Sequence, residues 1–158
     1  MSLQARVRNA DFLSRRMSAA QAAQLIEHGA TLGLSGFTGA GYPKALPQAI
    51  AERARAEHAA GRPFQENVWT GASTAPEVDG ALAQAGARAQ RLPSNPDAST
   101  RQQINAGTID YIDMHLSHVA QQAWFGFLGK LDVAIVEVAG ITPDGRLIPS
   151  TAVGNNKT

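Results

Sequence analysis

The chain has no cysteine among its 158 residues, which excludes disulfides, thiolate nucleophiles and cysteine-based zinc or iron–sulfur sites. That absence fits a reducing, cytoplasmic setting. Lysine is scarce: Lys44, Lys130 and Lys157 stand against eleven arginines, the formal net charge is only +1, and no run of five like charges occurs. Such a balance argues against nucleic acid or an anionic membrane as partner. No apolar stretch approaches membrane-spanning length. The opening segment "MSLQARVRNADFLSRR" lacks the apolar region of a secretory signal. What is present, 44% hydrophobic and 17% charged residues, suits one soluble globular domain with a real core.

The hydrophobic pattern alternates between two periods. "MSAAQAAQLIEHG" reads as a helix, with Ser18 as N-cap, Gln21 as its capping-box partner, Leu25 and Ile26 on the apolar side and Gly29 just past the end. "TLGLS" (31–35) reads as a buried strand, and "KALPQAIAERARAEHAAG" as a helix with Leu46, Ile50 and Ala54 on one face. Pro47 fits only in its first turn. "ENVWT" and "ARAQRL" read as further strands, and "EVDGALAQAG" and "ASTRQQINAG" as helices. "IDYID" adds another short strand, and "HLSHVAQQAWFGFLG" a helix interrupted near Gly126. "DVAIVEVAGI" (132–141) is the strongest strand pattern, with "RLIPS" returning beside it through Asp144-Gly145. This alternation predicts an α/β fold with a largely parallel sheet and helices on both faces. The end, "STAVGNNKT", has no closing helix, so residues 1–158 are expected to be an incomplete part of a longer polypeptide.

Three loops follow strands. "SGFTGAGYPK" holds Gly36, Gly39 and Gly41 before a helix, an arrangement that offers backbone N–H groups to an anion. Its spacing matches neither the dinucleotide fingerprint nor the P-loop, where Tyr42 takes the place of the lysine, so a tight strand–helix connection and a ligand loop both remain open. "GASTAP" falls one glycine short of a nucleophile elbow around Ser73. Helix capping is the favoured role for its hydroxyls, with a serine nucleophile, or carboxylate binding by Ser73 and Thr74, as alternatives. In "SNPDAST", Asp97 or Ser99 is expected to cap the following helix. His115 and His118 share a helical face but lack a third ligand nearby, so no metal site is expected. Glu137, in mid-strand, is costly to bury alone: pairing with an arginine, a place at the sheet edge and a role in a site are the alternatives, and structural pairing is the expectation.

The segments "SGFTGAGYPKALP", "TGASTAPEVDG", "INAG", "YIDMHLSHVAQQ", "GFLGKLDVAIVEVAGITPDGRLIPS" and "AVGNN" together resemble the N-terminal portion of the acetyl-CoA hydrolase/transferase family. This family belongs to the class I CoA-transferases and includes succinyl-CoA:acetate CoA-transferases. The resemblance implies a class I CoA-transferase-like α/β fold and transfer of CoA between small carboxylates such as acetate and succinate. It implies a glutamyl-CoA thioester formed on a glutamate beyond residue 158, with coenzyme A as substrate, no resident cofactor, and a homodimer.

By the same resemblance, Gly36, Phe37, Thr38, Gly39, Ala40 and Gly41 form the first glycine-rich loop beside the site, and Ser73 with Thr74 a carboxylate-binding loop. Asn95 and Asp97 stand where family members often read Asn-Thr-Asp, here with Pro96 between them, and Gly154 and Asn155 belong to a further substrate-side loop. No catalytic residue of the family falls within this chain. The competing expectations are a true acyl-CoA hydrolase, a non-catalytic small-molecule-binding α/β module, and a serine hydrolase.

Overall fold

The computed structural model describes residues 2–73, 76–94, 97–156 and 158, with Ser35 described by its backbone alone. In chain order the elements are α1 (Leu3–Arg6), α2 (Ala10–Ser14), α3 (Ala19–Ala23), β1 (Thr31–Phe37), α4 (Ala45–Ala59) and β2 (Glu66–Ala72). A π-helical turn, Pro76–Gly80, then runs into α5 (Ala81–Gln84). The remainder is β3 (Arg88–Leu92), α6 (Ala98–Asn105), β4 (Asp110–Tyr111), α7 (Leu116–Trp124), β5 (Val133–Ile135), β6 (Val138–Ile141) and β7 (Leu147–Pro149). No described helix is long and apolar enough to cross a membrane.

Five strands form one parallel sheet in the order β4-β3-β2-β1-β5. Successive strand residues point to opposite faces, and the two sides of β2 show what each face buries. Val68 joins Leu32, Leu34, Ile50, Ala54 and Leu82 in the main core. Its neighbour Trp69 packs instead with Leu92 and Val119 of α7. The parallel sheet is therefore covered on both faces, as its unpaired apolar sides require. Ile50 and Ala54 of α4 are fully buried on the face the sequence pattern assigns them, and Pro47 sits in the first turn, where a missing N–H costs nothing.

The helix expected over 17–29 and the strand expected over 132–141 differ from the sequence expectation. The helix expected over 17–29 is only α3. Its capping box is present: Gln21 N donates to Ser18 Oγ at 3.2 Å and Ser18 N donates to the Gln21 side chain at 2.9 Å. Beyond Ala23, however, the N–H groups of Gln24, Leu25 and Ile26 reach carbonyls only three residues back. This tighter winding buries Ile26 and leaves Leu25 exposed.

The helix after His115 is interrupted near Gly126, as expected: α7 ends at Trp124 and Gly126 adopts φ +77. The single strand expected over 132–141 breaks at Val136-Glu137. Its first part is β5, at the edge of the parallel sheet. Its second part, β6, leaves that sheet and pairs antiparallel with β7. The cause is Glu137, whose carboxylate takes polar partners at the sheet's rim rather than a place between apolar layers. The return hairpin through Gly145, at φ +84, forms as expected.

Candidate functional site

All five strands of the main sheet run the same way, so the segments following β1, β2, β3 and β5 leave from one rim. The chain steps outward from β1 through β2 and β3 to β4, then returns to place β5 on the other side of β1. The order therefore reverses between β1 and β5, where parallel sheets open a crevice at their carboxyl ends. The glycine loop lies on one side of that crevice and Glu137 on the other.

The loop closes on itself as a tight turn. Phe37 N donates to Ala40 O at 2.9 Å, and Ala40 N donates back to Phe37 O at 3.0 Å. Thr38 takes φ +54, a conformation that costs a β-branched residue about 1–3 kcal/mol, and its N–H donates to Ala72 O at 2.8 Å, tying the loop to β2. A Cβ at Gly36 would lie 2.5 Å from Tyr42 Cβ and 2.7 Å from Tyr42 N. A Cβ at Gly41, which has φ +65, would lie 2.5 Å from Ala152 O. Among the described residues, nothing stands within 4 Å of the corresponding point at Gly39. Two of the three glycines thus admit the chain's own atoms, and Gly39 alone leaves room for another molecule. Phe37 is exposed beside it.

Charged groups hold the loop from both sides. Tyr42 Oη donates to Glu77 Oε2 at 2.6 Å; burial first, and this carboxylate second, push the phenol well above its usual range. Lys44 Nζ donates to Tyr42 O at 3.0 Å and to Glu137 Oε2 at 2.9 Å, and lies 4.7 Å from the Tyr42 ring centroid. Ser150 Oγ donates to the other Glu137 oxygen at 2.8 Å. The Lys44 bond holds the Glu137 carboxyl below the usual carboxylate range, with Ser150 contributing and burial opposing. Structural pairing of Glu137 is what the sequence led us to expect, although the partner is a lysine and a serine.

Gly36, Thr38 and Ser73 line one small cavity, together with Leu34, Tyr42 and Thr70. Asn155 lines a neighbouring apolar cleft on the α7 side, with Gly33, Trp69 and Ala134, and its amide donates to Thr70 O at 3.5 Å. Gly154, at φ +48, is exposed in the turn before it. Asp97 caps α6, accepting from Thr100 N at 2.9 Å. Thr74 and Asn95, also expected at the site, lie outside the described residues, as does Pro96.

Beneath the second and third loops lies a polar network that sequence reading missed. Ser73 Oγ donates to Asp79 Oδ2 at 2.5 Å. Arg88 Nη1 and Arg91 Nε donate to Asp79 Oδ1 at 3.1 and 2.9 Å, and Arg91 Nη2 reaches Oδ2 at 3.4 Å. Arg88 also donates to Thr100 Oγ1, which in turn donates to Asp97 at 3.1 Å. The side chains of Asp79, Arg88 and Arg91 are fully buried. Burial lowers the Arg88 guanidinium to about 10, against the pull of Asp79.

Strict alternation would place Arg88 and Arg91 on opposite faces. Glu66 pairs with Arg88 but Asn67 pairs with Gln90, so Ala89 is an extra residue, and the bulge brings both arginines to Asp79. His115 and His118 lie 5.7 Å apart at the start of α7, and no three potential ligands converge on a metal position among the described residues.

Fold and rim together define a parallel α/β domain with a crevice at the reversal of its strand order. The acetyl-CoA hydrolase/transferase N-terminal domain matches residues 1–158, and the chain belongs to that family. It is 43% identical over 143 residues to the propanoyl-CoA:succinate CoA transferase of Escherichia coli K12, covering 90% of this chain and 29% of the relative. It is 40% identical over 153 residues to the succinyl-CoA:acetate CoA-transferase of Clostridium kluyveri, covering 97% and 28%. Acetyl-CoA hydrolase of Saccharomyces cerevisiae is 33% identical over 161 residues, covering 98% and 30%. The chain thus spans under a third of the length of these relatives. A crystal structure of the decarboxylase AibA/AibB shares the fold, with a TM-score of 0.52 at 17% identity over 71% of this chain and 43% of that one.

Proposed function

We propose that residues 1–158 form the N-terminal part of an enzyme that moves CoA between small carboxylates, acetate and succinate among them. A glutamate carboxylate from sequence beyond Thr158 attacks the acyl-CoA carbonyl and expels CoA thiolate, leaving an acyl–glutamyl anhydride. The thiolate then attacks the glutamyl carbonyl, releasing the first acid and forming glutamyl-CoA. A second acid reverses the sequence and leaves as its CoA thioester. Splitting the exchange this way replaces one difficult step with several easier ones. In this reading Gly36 to Gly41, Ser73, Thr74, Asn95, Asp97, Gly154 and Asn155 belong to the substrate side of the rim. The homodimer and the cytoplasmic location belong to the same proposal.

The observation that supports the reading is the shared rim: β1, β2 and β3 end at one edge of the sheet, Gly36, Thr38 and Ser73 line one cavity there, and Gly39 meets no described residue. The two named CoA-transferases are also more similar, at 43% and 40%, than the named acetyl-CoA hydrolase, at 33%. A serine hydrolase gains no support, because the Ser73 hydroxyl bonds directly to a carboxylate with no imidazole between them. The test is product analysis of the full-length enzyme with acetyl-CoA, with and without succinate. Transfer predicts succinyl-CoA and acetate, and little thioester loss without an acceptor. Equal consumption in both conditions identifies a hydrolase.

A further inference from the structure

We propose that Asp79 is a positioning residue that competes with the acid substrate for the single hydroxyl proton of Ser73 and so holds down the affinity of that substrate. This rests on the transferase reading above and on the placing of Ser73 at its substrate side. A serine hydroxyl carries one proton and two lone pairs. That proton is directed at Asp79 Oδ2, 2.5 Å away. Asp79 cannot turn aside, because Arg88 and Arg91 grip its other oxygen at 3.1 and 2.9 Å and all three side chains are fully buried. A carboxylate arriving at Ser73 accepts hydrogen bonds and offers none. It therefore finds lone pairs facing it unless it draws the proton away from Asp79. An enzyme that must release one acid and admit another gains from such a handicap, since a tightly held acid would block exchange.

The two oxygens of Asp79 carry unequal duties: Oδ1 takes the closer bonds from Arg88 and Arg91, and Oδ2 takes Ser73 at 2.5 Å with Arg91 Nη2 farther off at 3.4 Å. Arginine only donates, so the substituted amide of Asp79→Asn presents its oxygen to the two nearer arginine donors at Oδ1 and its NH₂ to Ser73, where it faces only the more distant Arg91 Nη2. Ser73 then accepts from position 79, and its own proton is free to turn toward the acid.

The experiment measures KM for the acceptor acid, and kcat, in the full-length enzyme and in the Asp79→Asn, Ser73→Ala and doubly substituted forms. Asp79→Asn is expected to lower the acid KM by about three- to tenfold. Ser73→Ala is expected to change it less than about threefold, because the proton it removes was already committed. In the Ser73→Ala background, Asp79→Asn is expected to change the acid KM no further. An unchanged or raised acid KM in folded Asp79→Asn overturns the proposal, as does the same fall without Ser73. If Asp79→Asn does not fold, Ser73→Ala decides alone: a rise above about threefold overturns the proposal and a smaller change supports it. A parent enzyme that transfers CoA to no small acid overturns this proposal together with the transferase reading. A competent parent whose variants misbehave overturns this proposal only.

Discussion

A methyl group at Gly36 would meet the Cβ and backbone of Tyr42, whereas one at Gly39 would meet none of the described residues. Gly36→Ala is therefore expected to destabilise the fold by about 1–3 kcal/mol through overpacking. Gly39→Val is expected to leave stability nearly unchanged and to lower kcat/KM. Thermal unfolding and initial rates on the same two proteins separate the effects; equal turnover in Gly39→Val and the parent would remove the ligand role of that position.

A second residue-scale prediction concerns Glu66, at the foot of β2. It is fully buried, neither side-chain oxygen has a hydrogen-bond partner among the described residues, and burial raises its carboxyl to about 8, against the opposing pull of Arg53. Between its unfolded value near 4.5 and about 8, the folded chain holds a proton that the unfolded chain has lost. Its stabilising effect is complete below the lower value and disappears as pH rises through the upper one. Denaturant unfolding should show stability falling across that window, by at most about 1.4 kcal/mol per pH unit, and Glu66→Gln should flatten the fall.

At the scale of elements, the short α3 depends on its start, since its winding changes after Ala23. Ser18→Ala, which removes the capping-box acceptor, is expected to cost about 1 kcal/mol in denaturant unfolding. The tie between the glycine loop and the end of β5 rests on Lys44 and Glu137, both partly exposed. Lys44→Ala should shift stability by less than about 1 kcal/mol, yet lower turnover as the two sides of the crevice lose their link. The elements differ in how far their sequence declares them. α4, β1 and β2 follow from periodicity because apolar spacing alone decides their burial. β5 and β6 read as one strand because the break depends on where Lys44 and Ser150 stand in space. The Asp79 cluster is invisible for a similar reason, since only the bulge at Ala89 turns Arg88 and Arg91 to the same side. Local patterns record burial well; they do not record a register shift, or a partner as distant in the chain as Lys44 is from Glu137.

At the scale of the whole molecule, the parallel sheet gathers its loops on one rim, and the return of β5 to the far side of β1 opens the crevice between them. Hydrogen bonds from Ser73 to Asp79, from Arg88 to Asp79 and Thr100, and from Thr100 to Asp97 link described residues at the second and third loops. In the proposed transferase, such a rim would supply positions for a thioester and an acid, and the attacking carboxylate would come from downstream sequence. Mass spectrometry of the full-length enzyme, incubated with acetyl-CoA and no acceptor acid and then digested, tests that division most directly. The account predicts a CoA thioester on a glutamate peptide beyond Thr158. An acetyl group on Ser73, or a fully turning-over enzyme with no modified glutamate, would contradict it.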